Sequence, residues 1–440
     1  MKKTKRNKYK YFKQNLNSGQ ALLIAVVFFM FISMVIVSGF SYTVTKEIKV
    51  ARRFLNSRWA SITAETGVED IVYRSLSGMN YDNQETLSFN GSTVITDVST
   101  VSGNVEIVGA GLVSGSTRKS KAVLVAGSGA SFNYGVQSGD GGVDLNNTAS
   151  IGGNLFSNGP ITGSSKSTVA GTVVSAGVGG LVDDIASAGT AYADTITDSN
   201  IGGDAYYDSN ISGTTVFGNS YSGQTPLDQE DLPITDATIA EWEALAEAGG
   251  VIDSPECDGG EYKINSDTTI GPIKINCDLV IEDNNIILTL AGPVWVVGKV
   301  ELKKPTVRID PAAGNKSIFV IADDSTNRTT SSNFNITNST VFQGTGGDKS
   351  YILLVSMNNS AELGGGESAI EVLNGAFGDL LTYAPHGKIL LGNQVSLKEV
   401  TGYKIILQQN AEVVYETGLA NLLFEEGPGG GYELTSWEEI

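Results

Sequence analysis

Ser150-Ile-Gly-Gly-Asn-Leu-Phe-Ser-Asn-Gly-Pro-Ile-Thr-Gly163 aligns without gaps on Asn200-Ile-Gly-Gly-Asp-Ala-Tyr-Tyr-Asp-Ser-Asn-Ile-Ser-Gly213. The offset of 50 residues places Ile151 over Ile201 and Ile161 over Ile211, and both copies continue into a related piece, Thr168-Val-Ala-Gly171 and Thr215-Val-Phe-Gly218. Short strands that recur with Gly and Asn between them fit a chain that coils. Each strand points one or two aliphatic side chains inward, where they stack on the next coil, and Gly and Asn tolerate the left-handed backbone at the corners.

Working outward, a second series of apolar runs follows, including Leu279-Val-Ile281, Ile286-Ile-Leu-Thr-Leu290, Val294-Trp-Val-Val297 and Ile318-Phe-Val-Ile-Ala322. Later members are Tyr351-Ile-Leu-Leu-Val355, Lys388-Ile-Leu-Leu391 and Tyr403-Lys-Ile-Ile-Leu407. Earlier ones are Val105-Glu-Ile-Val-Gly109 and Ala122-Val-Leu-Val-Ala-Gly127. A β-sandwich shares this strand density; the repeat and the Gly-Asn corners favour a mainly β fold built as a parallel β-helix. Its first part is expected over 85–235 and its second over 251–423. Between them Asp236-Ala-Thr-Ile-Ala-Glu-Trp-Glu-Ala-Leu-Ala-Glu-Ala-Gly249 reads as a short helix insertion, 236–250, with Ile239, Trp242, Leu245 and Ala246 on one face. Thr235 or Asp236 caps its start and Gly249-Gly250 ends it.

Composition agrees with many turns: glycine supplies 53 of 440 residues, against roughly 7% in ordinary proteins. The net charge of −19 is uneven. Residues 1–60 carry 12 Lys/Arg and one acid, Glu47, whereas the other 380 carry 17 basic and 47 acidic side chains. So acidic a body repels phosphate backbones and excludes nucleic acid as its partner.

The basic end has a separate task. Lys2, Lys3, Lys5, Arg6, Lys8, Lys10 and Lys13 precede the apolar run Ala21–Phe40, and no charge appears until Lys46. About 20 apolar residues rise ~30 Å as a helix, enough to cross a bilayer core. The leading bases should stay cytoplasmic and send the C-terminal side out. A secretory signal peptide is the rival, but no small-x-small site follows the run. Ile48, Ala51, Leu55, Trp59 and Ile62 continue at helical spacing without Gly or Pro before Gly67. One helix over 20–76, apolar first and amphipathic later, is expected.

Asn17-Ser-Gly-Gln-Ala-Leu-Leu-Ile24 resembles a type IV prepilin leader, and Thr45-Lys-Glu47 with Ala64-Glu-Thr-Gly-Val-Glu69 resembles the N-terminal segment of PilX-type pilus assembly proteins. The likeness covers roughly residues 15–76. It implies a leader 1–19 cut by prepilin peptidase after Gly19, with Gln20 as the mature N-terminus. It also implies other pilins, the pilus assembly machinery and membrane lipid as partners. Major pilins of this family carry Glu five residues after the cut, where this chain has Ile24, which points to a minor subunit. The body repeats resemble bactofilin-like and other β-helix surface proteins. An uncut membrane anchor is the alternative.

The remaining candidates are few. Cys257 and Cys277, outside the cytoplasm, are expected to form a disulfide rather than a metal site. His386, the only histidine, is expected in an exposed turn. Gly109-Ala-Gly111-Leu-Val-Ser-Gly115 misses dinucleotide spacing. Asp183-Asp184 and Asp323-Asp324 are adjacent in sequence, whereas glycosidase carboxylates face one another across a cleft. Asp140, Asp144 and Asp204 offer oxygen ligands, so calcium is the one cofactor considered; none is expected. The tail 424–440 is expected to cap the solenoid through Tyr432, Leu434 and Trp437. These readings give a non-enzymatic, minor pilin-like surface protein with its β-helix outside the cell, acting in assembly or in adhesion to, for example, surface polysaccharide. Two alternatives stand: a tethered carbohydrate-active β-helix enzyme with a groove of acids or a base such as Arg308 or Arg328, and a permanently anchored envelope scaffold.

Overall fold

The computed structural model describes residues 18–76, 81–101, 104–127, 129–130, 132–164, 167–282, 285–346, 350–415, 419, 422–423 and 431–440. The basic stretch 1–17 and residues 424–430 of the expected tail lie outside them. Helix α1 spans Ser18–Leu76, 59 residues, a rod of ~88 Å at 1.5 Å per residue.

Its C-terminal part rests on an antiparallel sheet. The strands β1 (Gln84–Phe89), β2 (Ser92–Val101), β3 (Asn104–Val113) and β4 (Ser116–Gly127) form a meander, and Gly431–Glu439 adds a fifth strand beside β4. Two expectations are corrected here. The solenoid does not begin at residue 85, because Asn90-Gly91 and Ser114-Gly115 are two-residue loops that turn the chain straight back. All four residues have positive φ, between 45° and 81°, the requirement of a type I′ hairpin whose twist matches its strands. Nor does the tail cap the solenoid: Tyr432, Leu434 and Trp437 pair with Ala126, Leu124 and Ala122 of β4.

The parallel β-helix itself is present. One 12-stranded parallel sheet takes a single strand from each coil, and a 20-stranded parallel sheet forms the rest of the wall. Between them lies one continuous aliphatic core, with Leu397, Val413, Ile151, Val169 and Ile201 among its members. Each such side chain contributes roughly 1.5–3 kcal/mol on burial. The 50-residue repeat is three coils, since Ser150, Thr168, Ala186 and Asn200 are successive register partners.

Chain order and spatial order differ. The chain joins the stack in its middle, at Val136–Leu145, and winds to one end at Ser220–Ser222. Residues 223–250 then run back along the outside, and winding restarts at the opposite end with Val251–Ile252. It proceeds until Glu399–Leu407 lies parallel to Val136–Leu145, pairing Val400 with Val136 and Leu407 with Leu145. Two arms, 136–222 and 251–413, therefore make one permuted solenoid. The chain enters and leaves it near the middle, which lets the last strand return to β4.

The returning strap is held along its length. Gln229 donates to Asp140 (3.2 Å), the Glu230 amide to Asn158 (3.0 Å) and the Ile234 amide to the buried Tyr383 hydroxyl (3.1 Å). Helix α2 (Asp236–Ala248) follows, with Thr235 as N-cap accepting from the Thr238 amide and Gly249 as C-cap. Ile239, Trp242 and Ala246 are buried, and Trp242 stacks on Phe319 at 4.5 Å between ring centroids. This makes a second apolar cluster on the outer wall.

Candidate functional site

The seat of α1 on the sheet depends on small residues. A Cβ on Gly111 would lie 2.2 Å from the Ala60 carbonyl oxygen, and one on Gly109 2.6 Å from that of Ala64. The Gly-Ala-Gly motif that fails as a nucleotide loop is thus where backbone meets backbone. Around it Val68, Ile71 and Val72 pack on Val105, Ile107, Ala122 and Leu124. At the end of α1, Arg74 pairs with Asp70 at 2.6 Å and with Glu85. The hydrogen bond from Arg74 holds the Glu85 carboxyl below the usual range.

The rest of α1 is bare. Leu22 through Phe40 are exposed, and this is the one helix among the described residues long and apolar enough to cross a membrane. The stripe Ile48, Leu55, Trp59 and Ile62 also faces outward; Trp59 is 58% exposed. The sheet takes the small-residue face instead, because only Ala60, Ala64 and Gly67 allow so close an approach. Gly19 and Gln20 fall in the first residues of α1.

Under α2 lies an acid cluster that spacing did not announce. Asp323, 1% exposed, receives two hydrogen bonds from Arg328, at 2.8 and 2.6 Å. Glu243 comes down from α2 onto it; burial, and then the Asp323 charge, raise the Glu243 carboxyl to about 8. His386 is not a free turn residue. It sits within the strand Leu380–Leu391, with Nδ1 2.7 Å from Glu362 and Nε2 3.1 Å from Asp236 at the start of α2. Nothing in the local sequence marks those partners, which arrive from residues far along the chain.

The other candidates are dispersed. Arg308 donates to Thr289 at 3.0 Å, while Arg328 is locked to Asp323, so the two bases do not share a groove. Asp183 accepts from Thr197, and Asp184 occupies a left-handed corner at φ 51°. Glu243 and Asp323 touch, whereas paired glycosidase acids stand at least ~5 Å apart. Asp140 binds Gln229, Asp144 binds Lys404 and Thr162, and Asp204 accepts from the Asn219 amide. No metal-ligating cluster occurs among the described residues. Cys257 and Cys277 are bonded, Cα to Cα 5.9 Å, and tie the outermost coil of the second arm to its neighbour. Closing a loop of 20 residues contributes about 3 kcal/mol.

No family model matches the chain, and no curated protein matches it. Among solved structures it is similar to the competence-associated pilin ComZ from Thermus thermophilus, at 11% identity over 88% of this chain and 97% of that one, with a TM-score of 0.40. An overlap that loose does not define a shared fold.

Proposed function

We propose that the protein is a minor pilin-like subunit of a type IV pilus or pseudopilus, of the PilX kind, that carries its β-helix outside the cell. The observation that carries this reading is the division of α1. Its C-terminal part is clamped on an antiparallel sheet closed by the last strand, while its apolar part is wholly uncovered. Such a helix has two apolar environments open to it, lipid before assembly and the helices of other subunits after it. Prepilin peptidase, other pilins and the assembly machinery are the partners this requires; no cofactor is needed. The solenoid serves spacing or adhesion, with surface polysaccharide as a candidate target.

Surface filaments sheared from cells of the source organism test the proposal. The protein is expected in the filament fraction, and a Gly19→Leu variant is expected only in the membrane fraction. Retention of the wild-type protein in the membrane would instead support a permanently anchored scaffold.

A further inference from the structure

The seam where the two arms meet contains polar groups that packing does not call for. Glu399 follows Phe319, Leu353 and Leu381 in one column of register partners, a place where another apolar side chain would fit the outer cluster. It is fully buried, and burial raises its carboxyl well above the usual range, favouring the protonated form. The Thr401 hydroxyl donates to Glu399 Oε1, and Oε2 is buried without a hydrogen-bond partner.

Across the seam, Thr401 is the register partner of Gln137. Adjacent strands lie ~4.8 Å apart, and parallel partners project to the same face. Thr401 is 1% and Gln137 5% exposed. The Gln137 amide is oriented by donating from Nε2 to the strap carbonyl of Asp231 at 3.2 Å. Phe132, Leu381, Tyr383 and Leu419 keep this face apolar. A hydroxyl, an amide and a carboxylic acid are thus placed side by side on one buried face.

We propose that Thr401 and Gln137 join in an intramolecular ester, with Glu399 as the proton shuttle. Thr401 Oγ1 attacks Gln137 Cδ, and its proton passes to Glu399 Oε1. Glu399 in turn gives one proton to the departing Nε2. The Oγ1–Cδ bond forms, the Cδ–Nε2 bond breaks, one ammonia leaves, and Glu399 ends as it began. No oxidant or co-reactant is consumed. A neutral acid suits both transfers, since one oxygen accepts while the other gives. Exclusion of water preserves the ester once made. The location has its own logic: these are the neighbouring coils that consecutive chain does not connect, so a bond here ties one arm to the other under load.

Peptide mapping of the purified full-length protein, reduced and alkylated, tests this. The peptides containing Gln137 and Thr401 should appear as one species, lighter than their sum by one ammonia, and hydroxylamine should separate them. Glu399→Gln should yield the two peptides unlinked with the solenoid circular dichroism retained. Unlinked wild-type peptides at their own masses overturn the ester, and a linked pair in Glu399→Gln overturns the role of the acid. The wild-type map decides the main point even where a variant fails to fold.

Discussion

The two arms of the solenoid solve one packing problem with different side chains. In the first arm the coils are short and even: Ser150, Thr168, Ala186, Asn200 and Thr215 stack at spacings of 18, 18, 14 and 15 residues. Its core narrows to Ala191 and Ala205, and its last strand, Ser220–Ser222, is exposed. The second arm fills a wider section with Leu290, Phe334, Phe342 and Leu354. Its coils lengthen to 35 and 36 residues between Thr306, Val341 and Phe377. Its outer end carries the disulfide, and α2 covers one wall. Stability should therefore be concentrated in the second arm, while the first should fray from its free end.

The largest expected effect is in the second arm. Phe342→Ala should cost about 3–5 kcal/mol and raise hydrogen exchange throughout 251–413; an effect confined to one coil would contradict a shared core. Replacing Cys257 and Cys277 with Ser should cost about 3 kcal/mol and expose the amides of the outermost coil, leaving 136–222 unchanged in hydrogen exchange.

Acidity gives a directional effect confined to α2 and the strap. Burial, and then the Asp323 charge, raise the Glu243 carboxyl to about 8 from 4.5 for the free side chain, so the folded state holds the extra proton. The stabilisation is complete below the free value and is lost as pH rises through about 8. Proteolysis between residues 223 and 250 should accelerate over that window, and Glu243→Gln should abolish the pH dependence. Smallest of all, Tyr221→Ala removes the last ring of a ladder in which Tyr192, Tyr206 and Tyr221 stack at 4.7 Å. It should cost about 0.5–1.5 kcal/mol and speed exchange only in the final coil of the first arm.

The same contrast explains what the sequence disclosed. The even coils of the first arm leave a gap-free repeat, whereas the loops near Asp324–Arg328 and Asn359–Gly366 lengthen the second arm's coils and erase its period. Local chemistry was legible in α1, where an apolar run needs no partner to be recognised, and in α2, where Thr235 and Gly249 cap a one-sided apolar face. The hairpin loops Asn90-Gly91 and Ser114-Gly115 carried the signal for the antiparallel sheet, but the same residues also punctuate coils. Pairing between distant segments left no local trace. Leu434 beside Leu124, Glu399 beside the chain around Gly135, and His386 between Glu362 and Asp236 are all products of the permuted path.

The proposed function rests on α1 leaving the membrane for a fibre, and the N-terminus of the protein purified from its own cells tests that most directly. N-terminal sequencing with intact mass should give a chain beginning at Gln20. A chain beginning at Met1 would contradict assembly as a pilin-like subunit and leave a β-helix permanently tethered to the membrane.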